Sequence, residues 1–358
     1  MRISFPTAGG FEYEQSVAER SALSLIMMYD AIQNFPAQLG FTPEIENKGK
    51  LGAYERYVVL GMGGSNLAPG LLNAWKPALD IASHRDYGLP YISDGARATT
   101  LVIASSYSGN TEETIDGFEE AGRRGLARAA VSAGGRLRDL ARDAGVPYVP
   151  LPNTGIQPRS ALGLSIKALL RLMGEHQALD EIAALAAPLA SRMVHLEQEG
   201  KDLAGRMHGY APVVYASRQN ATLAQNWKIK FNETAKIPAF WNAFPEVNHN
   251  EMTGFDAIAS TRGLSGKLFF IFLYDASDHA KVQKRMRITE ELYQGRGFAT
   301  ATAALLGAGF FEKAFSSVLT ADWTAYYLSQ AYGTEPELVP MVEEFKRRIA
   351  SENDKRIT

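Results

Sequence analysis

Residues 101–111 read LVIASSYSGNT, an apolar run that changes abruptly into a turn of small polar residues. The run contains two β-branched residues, which is typical of a buried parallel strand. A helical pattern begins at Glu112, and Asn110 with Glu113 three residues later has the spacing of a capping box. The sequence therefore predicts a strand that passes through a tight turn into the N-terminus of a helix.

The turn after this strand has the chemistry of an anion-binding site. The N–H groups in the first turn of a helix have no intrahelical partner, and the helix dipole favours negative charge there. The hydroxyl groups of the turn add donors without adding positive charge. A phosphate held in this way can belong to a ligand with an uncharged body, such as a sugar phosphate. The alternative is an ordinary loop in which each hydroxyl only caps or turns the chain.

A second strand, at residues 57–61, also ends in a turn, which reads GMGGSN over residues 61–66. A dinucleotide-binding fingerprint requires a small residue where Asn66 stands, and an acidic residue about 20 positions later. Asn66 breaks this pattern and no acidic residue is suitably placed, so binding of NAD is not expected. Two such turns after parallel strands can instead face one ligand at the carboxyl edge of the sheet.

Strand and helix patterns alternate over residues 57–149. Strands are predicted at 57–61, 101–105, 128–132 and 147–150, with a weaker one at 89–93, and helices at 65–75, 112–122 and 135–144. This alternation predicts a parallel sheet covered by helices on both faces. The next helix is expected to open at Gln157-Pro158-Arg159, with Pro158 in the first helical position.

A second alternating unit follows a long helical stretch at 175–207. Its predicted elements are strands at 210–217, 267–274 and 297–302 and helices at 221–236, 281–293 and 310–331. Further helices are predicted at 16–35 and 337–350, and residues 1–15 are expected to be irregular. The predicted fold class is α/β, with two doubly wound parallel-sheet subdomains and connecting helices. The predicted division is an N-terminal helical segment (1–50), a first domain (51–175), a connecting helix (176–208), a second domain (209–335) and a C-terminal helix (336–358).

Composition excludes several classes of function. The formal net charge is −2, so no basic excess points to a nucleic acid partner. The chain has no cysteine, which excludes disulfides and thiolate zinc sites, and no His/Glu spacing is typical of a metal site. No apolar stretch approaches the roughly 20 residues of a membrane span, and the N-terminus lacks the apolar core of a signal peptide. A cytoplasmic protein is expected, without a membrane partner.

The glycine turn and the hydroxyl turn together resemble the sugar isomerase (SIS) domain. The resemblance rests on GMGGS at 61–65 and SYSGNT at 106–111. Three further motifs resemble the bifunctional phosphoglucose/phosphomannose isomerase family more closely, over about residues 30–350. They are QPR at 157–159, FNETAK at 231–236 and NHNE at 248–251.

This resemblance implies an isomerase that needs no metal and no cofactor. It would interconvert glucose 6-phosphate and mannose 6-phosphate with fructose 6-phosphate through an enediol or enediolate. The resemblance also implies a small-molecule sugar phosphate as the partner, and a homodimer in which His249 reaches the site of the other subunit. Substrate phosphate binding carries over to backbone groups of Gly63 and Gly64 and to the side chains of Ser65, Ser106, Ser108 and Thr111.

Aldose–ketose isomerisation requires a carboxylate base, a group that opens the sugar ring and a positive charge near the enediolate. The resemblance assigns the base to Glu233, the positive group facing the reacting carbons to Arg159, and ring opening to His249. The spacing of Glu233 also fits an exposed glutamate paired with Lys230 and Lys236 at i, i+3. Against this, Phe231 and the IPAFW run at 237–241 predict partial burial of the carboxylate.

Other assignments stay open in the sequence. Glu251, in the same motif as His249, is a rival for the base. Lys346 resembles a C-terminal-helix lysine that assists ring opening, but Arg347 and Arg348 are adjacent, and basic residues near a helix C-terminus are ordinary dipole partners. A non-catalytic sugar-phosphate sensor is the alternative function, and another sugar-phosphate reaction on the same scaffold is a third.

Overall fold

The computed structural model describes the backbone of residues 17–356 and the side chains of residues 23–349. The prediction for residues 1–15 lies outside this part of the chain. The strands of the described chain are β1 Arg56–Leu60, β2 Ile81–His84, β3 Thr100–Ser105, β4 Ala127–Ser132, β5 Tyr148–Pro150, β6 Ala211–Ser217, β7 Phe240–Phe244, β8 Leu268–Tyr274 and β9 Ala299–Ala304. They form two parallel sheets, in the orders β2-β1-β3-β4-β5 and β7-β6-β8-β9.

Helices surround both sheets. They are α1 Val17–Gln33, α2 Phe35–Leu39, α3 Leu67–Trp75, α4 Glu112–Arg123, α5 Gly135–Asp143, α6 Leu162–Leu172, α7 His176–Ala184, α8 Ala186–Met207, α9 Ala221–Lys230, α10 Arg262–Ser265, α11 Ala280–Gly295, α12 Phe310–Tyr332 and α13 Pro340–Arg356. The α/β class with two parallel sheets is confirmed. The predicted boundaries between the domains stay a prediction.

Alternate side chains of each strand enter different cores, as the two-residue period of a strand requires. In the first sheet, Val58 and Val102 pack with Phe118 of α4, on the outer face. The neighbouring residues Val59 and Ile103 belong to a large inner core that also contains α3 and α6. The first sheet is therefore covered by helices on both faces.

The inner core continues into the second sheet. It includes Ile271 of β8, Trp227 of α9 and Trp323 of α12. Helix α8 lies against α12, and a Cβ at Gly200 would come within 2.4 Å of the Cβ of Trp323. Only glycine allows the two helices to approach so closely. The other face of the second sheet packs on α11 through residues such as Phe272 and Met286.

Two strands differ from the sequence expectation. The strand predicted at 89–93 is wrong, because that segment is irregular and Ile81–His84 forms β2 instead. Leu89 and Ile92 still pack into the outer core of the first sheet, which explains the apolar pattern without a strand. Strand β7 was not predicted; it is an edge strand on which Phe240 and Trp241 are largely exposed, so it lacks the pattern of a buried strand.

The helix predicted at 175–207 is two helices, α7 and α8, separated at Leu185. The helix predicted at 337–350 begins later, at Pro340, and continues to Arg356. Among the described residues, no helix combines the length and apolar character that crossing a membrane would require.

Candidate active site

The hydroxyl turn after β3 brings the predicted phosphate-binding side chains together. The Ser106 hydroxyl lies 2.8 Å from the Thr111 hydroxyl and 3.5 Å from that of Ser108. It also accepts a hydrogen bond from the backbone N–H of Gly109 at 3.1 Å. Ser106 is buried whereas Ser108 is exposed, so the cluster runs from the interior to the surface. This arrangement of donors at a helix N-terminus is suited to a phosphate group.

The turn is held in place by the start of α5. Gly109 has φ +71°, and a Cβ there would lie 1.8 Å from the carbonyl oxygen of Gly134. The Leu137 N–H donates to the Gly109 carbonyl at 2.9 Å, and the Arg136 N–H donates to Asn110 Oδ1 at 3.0 Å. Asn110 therefore serves the N-terminus of α5 and not that of its own helix.

The capping box predicted for α4 is consequently wrong. The N-cap of α4 is Thr111, and its side chain makes no capping hydrogen bond. The Asn110 side chain instead accepts a hydrogen bond from the Arg136 N–H, a partner that is distant in sequence. The first-turn N–H groups of α4 are thus not capped by the N-cap side chain, which favours an external anion at this position.

The glycine turn connects the hydroxyl turn to the segment that carries Arg159. Ser65 is buried, and its hydroxyl accepts a hydrogen bond from the Tyr107 N–H at 3.2 Å. Gly63 has φ +49°. A Cβ at Gly64 would come within 2.7 Å of the Arg159 backbone nitrogen. The two turns and the segment carrying Arg159 therefore pack directly against one another.

Arg159 lies in a 3₁₀ turn, Pro158–Ser160, that precedes α6, so it does not open the helix as predicted. Only 2% of the residue is exposed. Its Nη1 lies 3.2 Å from Glu233 Oε2, and its Nε donates to the Thr234 hydroxyl at 3.1 Å. Its Nη2 donates to the carbonyl oxygens of Pro336 and Glu337, at 2.6 and 3.1 Å. The guanidinium is fixed by partners from two distant segments.

Glu233 lies in a short π-helical turn, Phe231–Ala235, that follows α9. Turns of this kind occur frequently at functional sites. The Glu233 side chain is 34% exposed, so the predicted partial burial is confirmed. One carboxylate oxygen binds Arg159, and within the described residues the other oxygen has no hydrogen-bond partner.

The proposed i, i+3 pairs of the Glu233 carboxylate do not form. Lys230 points inward, where its Nζ contacts the Arg159 carbonyl and the Asp322 carboxylate, each at 2.7 Å. Burial raises the pKa of Asp322, and the positive charges of Lys230 and Arg159 oppose that rise. Lys236 donates to the backbone carbonyl of Glu233 and not to its carboxylate. Sequence spacing gave no sign of these contacts.

His249 lies in the segment after β7, and its side chain is exposed. Within the described chain its ring makes no hydrogen bond, and its neighbours bind elsewhere. Asn248 donates to the Thr289 hydroxyl at 2.8 Å, and Asn250 to Glu246 at 2.8 Å. The neighbours therefore do not fix the tautomer of the His249 ring within one chain.

Glu251 is engaged in the second sheet. It accepts hydrogen bonds from the Tyr215 hydroxyl, at 2.5 Å, and from the Asn242 amide. Burial is the main cause of a strongly raised pKa at Tyr215, and the contact with Glu251 adds to it. Among the described residues, Arg159 contacts Glu233 and not Glu251.

Lys346 lies on α13, where its side chain is 65% exposed and forms an i, i+3 pair with Glu343 at 2.8 Å. The chain does not bring Lys346 to Arg159 or Glu233, and its assignment stays a prediction. In the part of the chain that the structure describes, no group of three or more acidic or histidine side chains is arranged to hold a metal ion.

The arrangement of the two sheets is that of the SIS fold. Residues 196–349 match the family described as the bacterial phospho-glucose isomerase C-terminal SIS domain. A solved C-terminal domain of glucosamine-fructose-6-phosphate aminotransferase from Francisella tularensis superposes with a TM-score of 0.66, covering 93% of this chain and 100% of that domain. Sequence identity is 11%, so this likeness concerns the fold alone.

Within that class, the chain belongs to the bifunctional phosphoglucose/phosphomannose isomerase family. It is 32% identical over 330 residues to the bifunctional phosphoglucose/phosphomannose isomerase of Aquifex aeolicus, covering 90% of this chain and 98% of the relative. The protein of the same name from Caldicellulosiruptor bescii is 30% identical over 346 residues, covering 91% of this chain and all of the relative. The family resemblance of the sequence motifs is thus confirmed.

Proposed function

We propose that this protein interconverts glucose 6-phosphate and mannose 6-phosphate with fructose 6-phosphate through an enediolate, without a metal ion. The observation that carries the proposal is the contact between Arg159 and Glu233. It joins a buried guanidinium to a carboxylate whose second oxygen has no partner among the residues that the structure describes. The glycine turn packs against the Arg159 backbone through Gly64 and contacts the hydroxyl turn through Ser65. One sugar phosphate can therefore place its phosphate on the hydroxyl turn and its reacting carbons near Glu233.

The proposed reaction begins with the substrate phosphate on the hydroxyls of Ser65, Ser106, Ser108 and Thr111 and on the backbone of Gly63 and Gly64. The free oxygen of Glu233 then removes the proton from C2 of the open-chain aldose. Negative charge develops on the substrate oxygens as the enediolate forms. The proton of O2 passes to O1 within the enediolate, and Glu233 returns its own proton to C1, which gives the ketose.

Arg159 stabilises the charge of the enediolate. A guanidinium has five N–H donors, and four of those of Arg159 have partners within the protein. One Nη1 hydrogen remains for a substrate oxygen. Because the guanidinium is already fixed and buried, it needs no reorganisation when the charge develops. If the pocket accepts both configurations at C2, the same base serves glucose and mannose substrates.

We further propose a homodimer in which His249 opens the sugar ring in the partner's site. Two observations support it: the His249 ring is exposed, and it has no hydrogen-bond partner within the described chain.

The test is a coupled assay on protein treated with EDTA. Glucose 6-phosphate and mannose 6-phosphate are supplied separately, and formation of fructose 6-phosphate is followed. We expect turnover of both substrates. Turnover of glucose 6-phosphate alone would reject the dual specificity. Binding of both without turnover would instead support the alternative of a sugar-phosphate sensor.

A further inference from the structure

Lys236 has a backbone conformation that side chains seldom adopt. It follows the π-helical turn directly and has φ +60° and ψ +33°, in the left-handed region. Glycine is the usual residue at such a helix end, because it adopts this conformation without strain. The lysine side chain makes a contact here that glycine could not make.

The carbonyl groups of the turn show what that contact is. The last carbonyls of a helix have no partner within the helix. The Phe231 carbonyl accepts from the backbone N–H groups of Lys236 and Ile237, and the Ala235 carbonyl accepts from the Thr334 hydroxyl at 3.4 Å. The Glu233 carbonyl accepts from Lys236 Nζ. The lysine side chain thus folds back to cap the carbonyl of the proposed base.

The charges around Lys236 make this cap sensitive to pH. Burial, and after it the nearby guanidinium of Arg159, lowers the pKa of Lys236 to about 8. The carboxylates of Glu335, Glu233 and Glu337 act in the opposite direction. The ammonium group therefore loses its proton as pH rises through about 8, and a neutral amine is a weaker donor to a carbonyl.

We propose that Lys236 is a positioning residue for Glu233, holding the backbone of the base so that its carboxylate meets both Arg159 and the substrate. Arg159 binds the carboxylate at the end of the Glu233 side chain, and Lys236 holds the backbone carbonyl of the same residue. The inference rests on the proposed function, since it assumes that Glu233 is the base. It predicts that Lys236 affects kcat and its pH dependence more than it affects substrate binding.

The experiment compares Lys236→Gly, Lys236→Arg and wild type. Glycine relaxes the backbone, so Lys236→Gly is expected to fold while lacking the cap. Asn47→Gly is the matched control, because Asn47 also has a left-handed backbone, at φ +56°, and also donates to a carbonyl, that of Val146. We expect kcat to fall by at least about 10-fold in Lys236→Gly with KM changed less than about 2-fold, and no change in Asn47→Gly.

The pH profile separates positioning from a purely structural role. Wild type is expected to lose activity as pH rises through about 8, and Lys236→Arg, which stays protonated, to remain active at higher pH. Equal kcat and equal pH profiles in wild type and Lys236→Gly would overturn the inference while leaving the proposed function intact. Absence of isomerisation by wild type would instead reject the proposed function. Labelling of the Lys236 amine at a series of pH values, read by mass spectrometry, measures its pKa independently of activity.

Discussion

At the scale of single residues, the site depends on one close approach between backbones. Gly64 lies so near the Arg159 backbone that a single added carbon would lie 2.8 Å from Arg159 Cα. Arg159 is the residue that contacts Glu233, so its position sets the geometry of the pair. Gly64 therefore sets the position of the guanidinium, apart from its proposed part in phosphate binding.

We expect Gly64→Ala to displace Arg159 and to lower kcat/KM on the order of 100-fold, because small misplacements of catalytic groups are costly. Overpacking should also lower the free energy of unfolding by about 1–3 kcal/mol. Steady-state kinetics and thermal unfolding measure the two effects. Gly205→Ala is the control, since a Cβ at Gly205 meets nothing within 4 Å. Wild-type kinetics in Gly64→Ala would contradict this account of the turn.

The local motifs single out Glu233 and Arg159, and the structure places their side chains in contact. The contacts of Lys230, Asp322 and Lys236 could not be predicted from the sequence. Lys230 and Asp322 are far apart in the sequence, so no local motif contains both members of the pair. Spacing suggested instead that both lysines face the Glu233 carboxylate, whereas the switch from α9 to a π-helical turn changes where side chains point.

At the scale of elements, α9 is attached to α12 by a buried ion pair. Lys230 binds both Asp322 of α12 and the carbonyl of Arg159, and its side chain is 1% exposed. Breaking a buried pair costs more than forming it contributes, because the remaining charge stays buried without compensation. The pair thus links the helix before Glu233 to the segment that carries Arg159.

We expect Lys230→Met to lower the free energy of unfolding by about 3–5 kcal/mol. Burial raises the pKa of Asp322, so the native variant binds a proton that the unfolded chain releases. Stability should therefore fall as pH rises, and the loss relative to wild type should be larger at pH 8 than at pH 5. Denaturant unfolding at both pH values measures this.

The double variant Lys230→Met/Asp322→Asn provides the control, since it removes the buried charge together with its partner. It should recover part of the stability and lose the dependence on pH. A Lys230→Met protein as stable as wild type at both pH values would show that the pair does not hold α9 in place.

Long alternating elements could be predicted, and short edge elements could not. Strands β3 and β8 are continuous apolar runs, which buried parallel strands require. Strand β2 contains only one buried apolar residue, Ile81, and β7 exposes Phe240 and Trp241 at an edge. Strands β2 and β7 are defined by their pairing with β1 and β6, and the local sequence pattern does not indicate which strands pair.

At the scale of the whole molecule, the two sheets share one hydrophobic core. A Cβ at Gly70 of α3 would lie 2.8 Å from the Thr222 side chain of α9, so the two halves also meet through their helices. Despite this shared core, His249 remains on the outside of the second sheet. The proposed homodimer would bring His249 of one subunit to the site of the other.

We expect Glu233→Gln and His249→Ala each to be inactive alone, but active when co-expressed. In a mixed dimer, one site carries both changes and the other carries neither. If half of the dimers are mixed, about a quarter of all sites are intact. The coupled assay on the co-expressed mixture measures the recovered activity. Failure to recover activity, with dimers demonstrated by sedimentation, would place His249 outside the partner's site.

The measurement that tests the central claim most directly is deuterium exchange during turnover. Glucose 6-phosphate is incubated in D₂O with wild type, Glu233→Gln or Glu251→Gln, and label at C1 of fructose 6-phosphate and at C2 of the recovered aldose phosphate is followed by NMR. We expect label with wild type and with Glu251→Gln, and a loss of about 10²–10⁴-fold with Glu233→Gln while sugar phosphate still binds. Exchange at the wild-type rate in Glu233→Gln would contradict the assignment of Glu233 as the base.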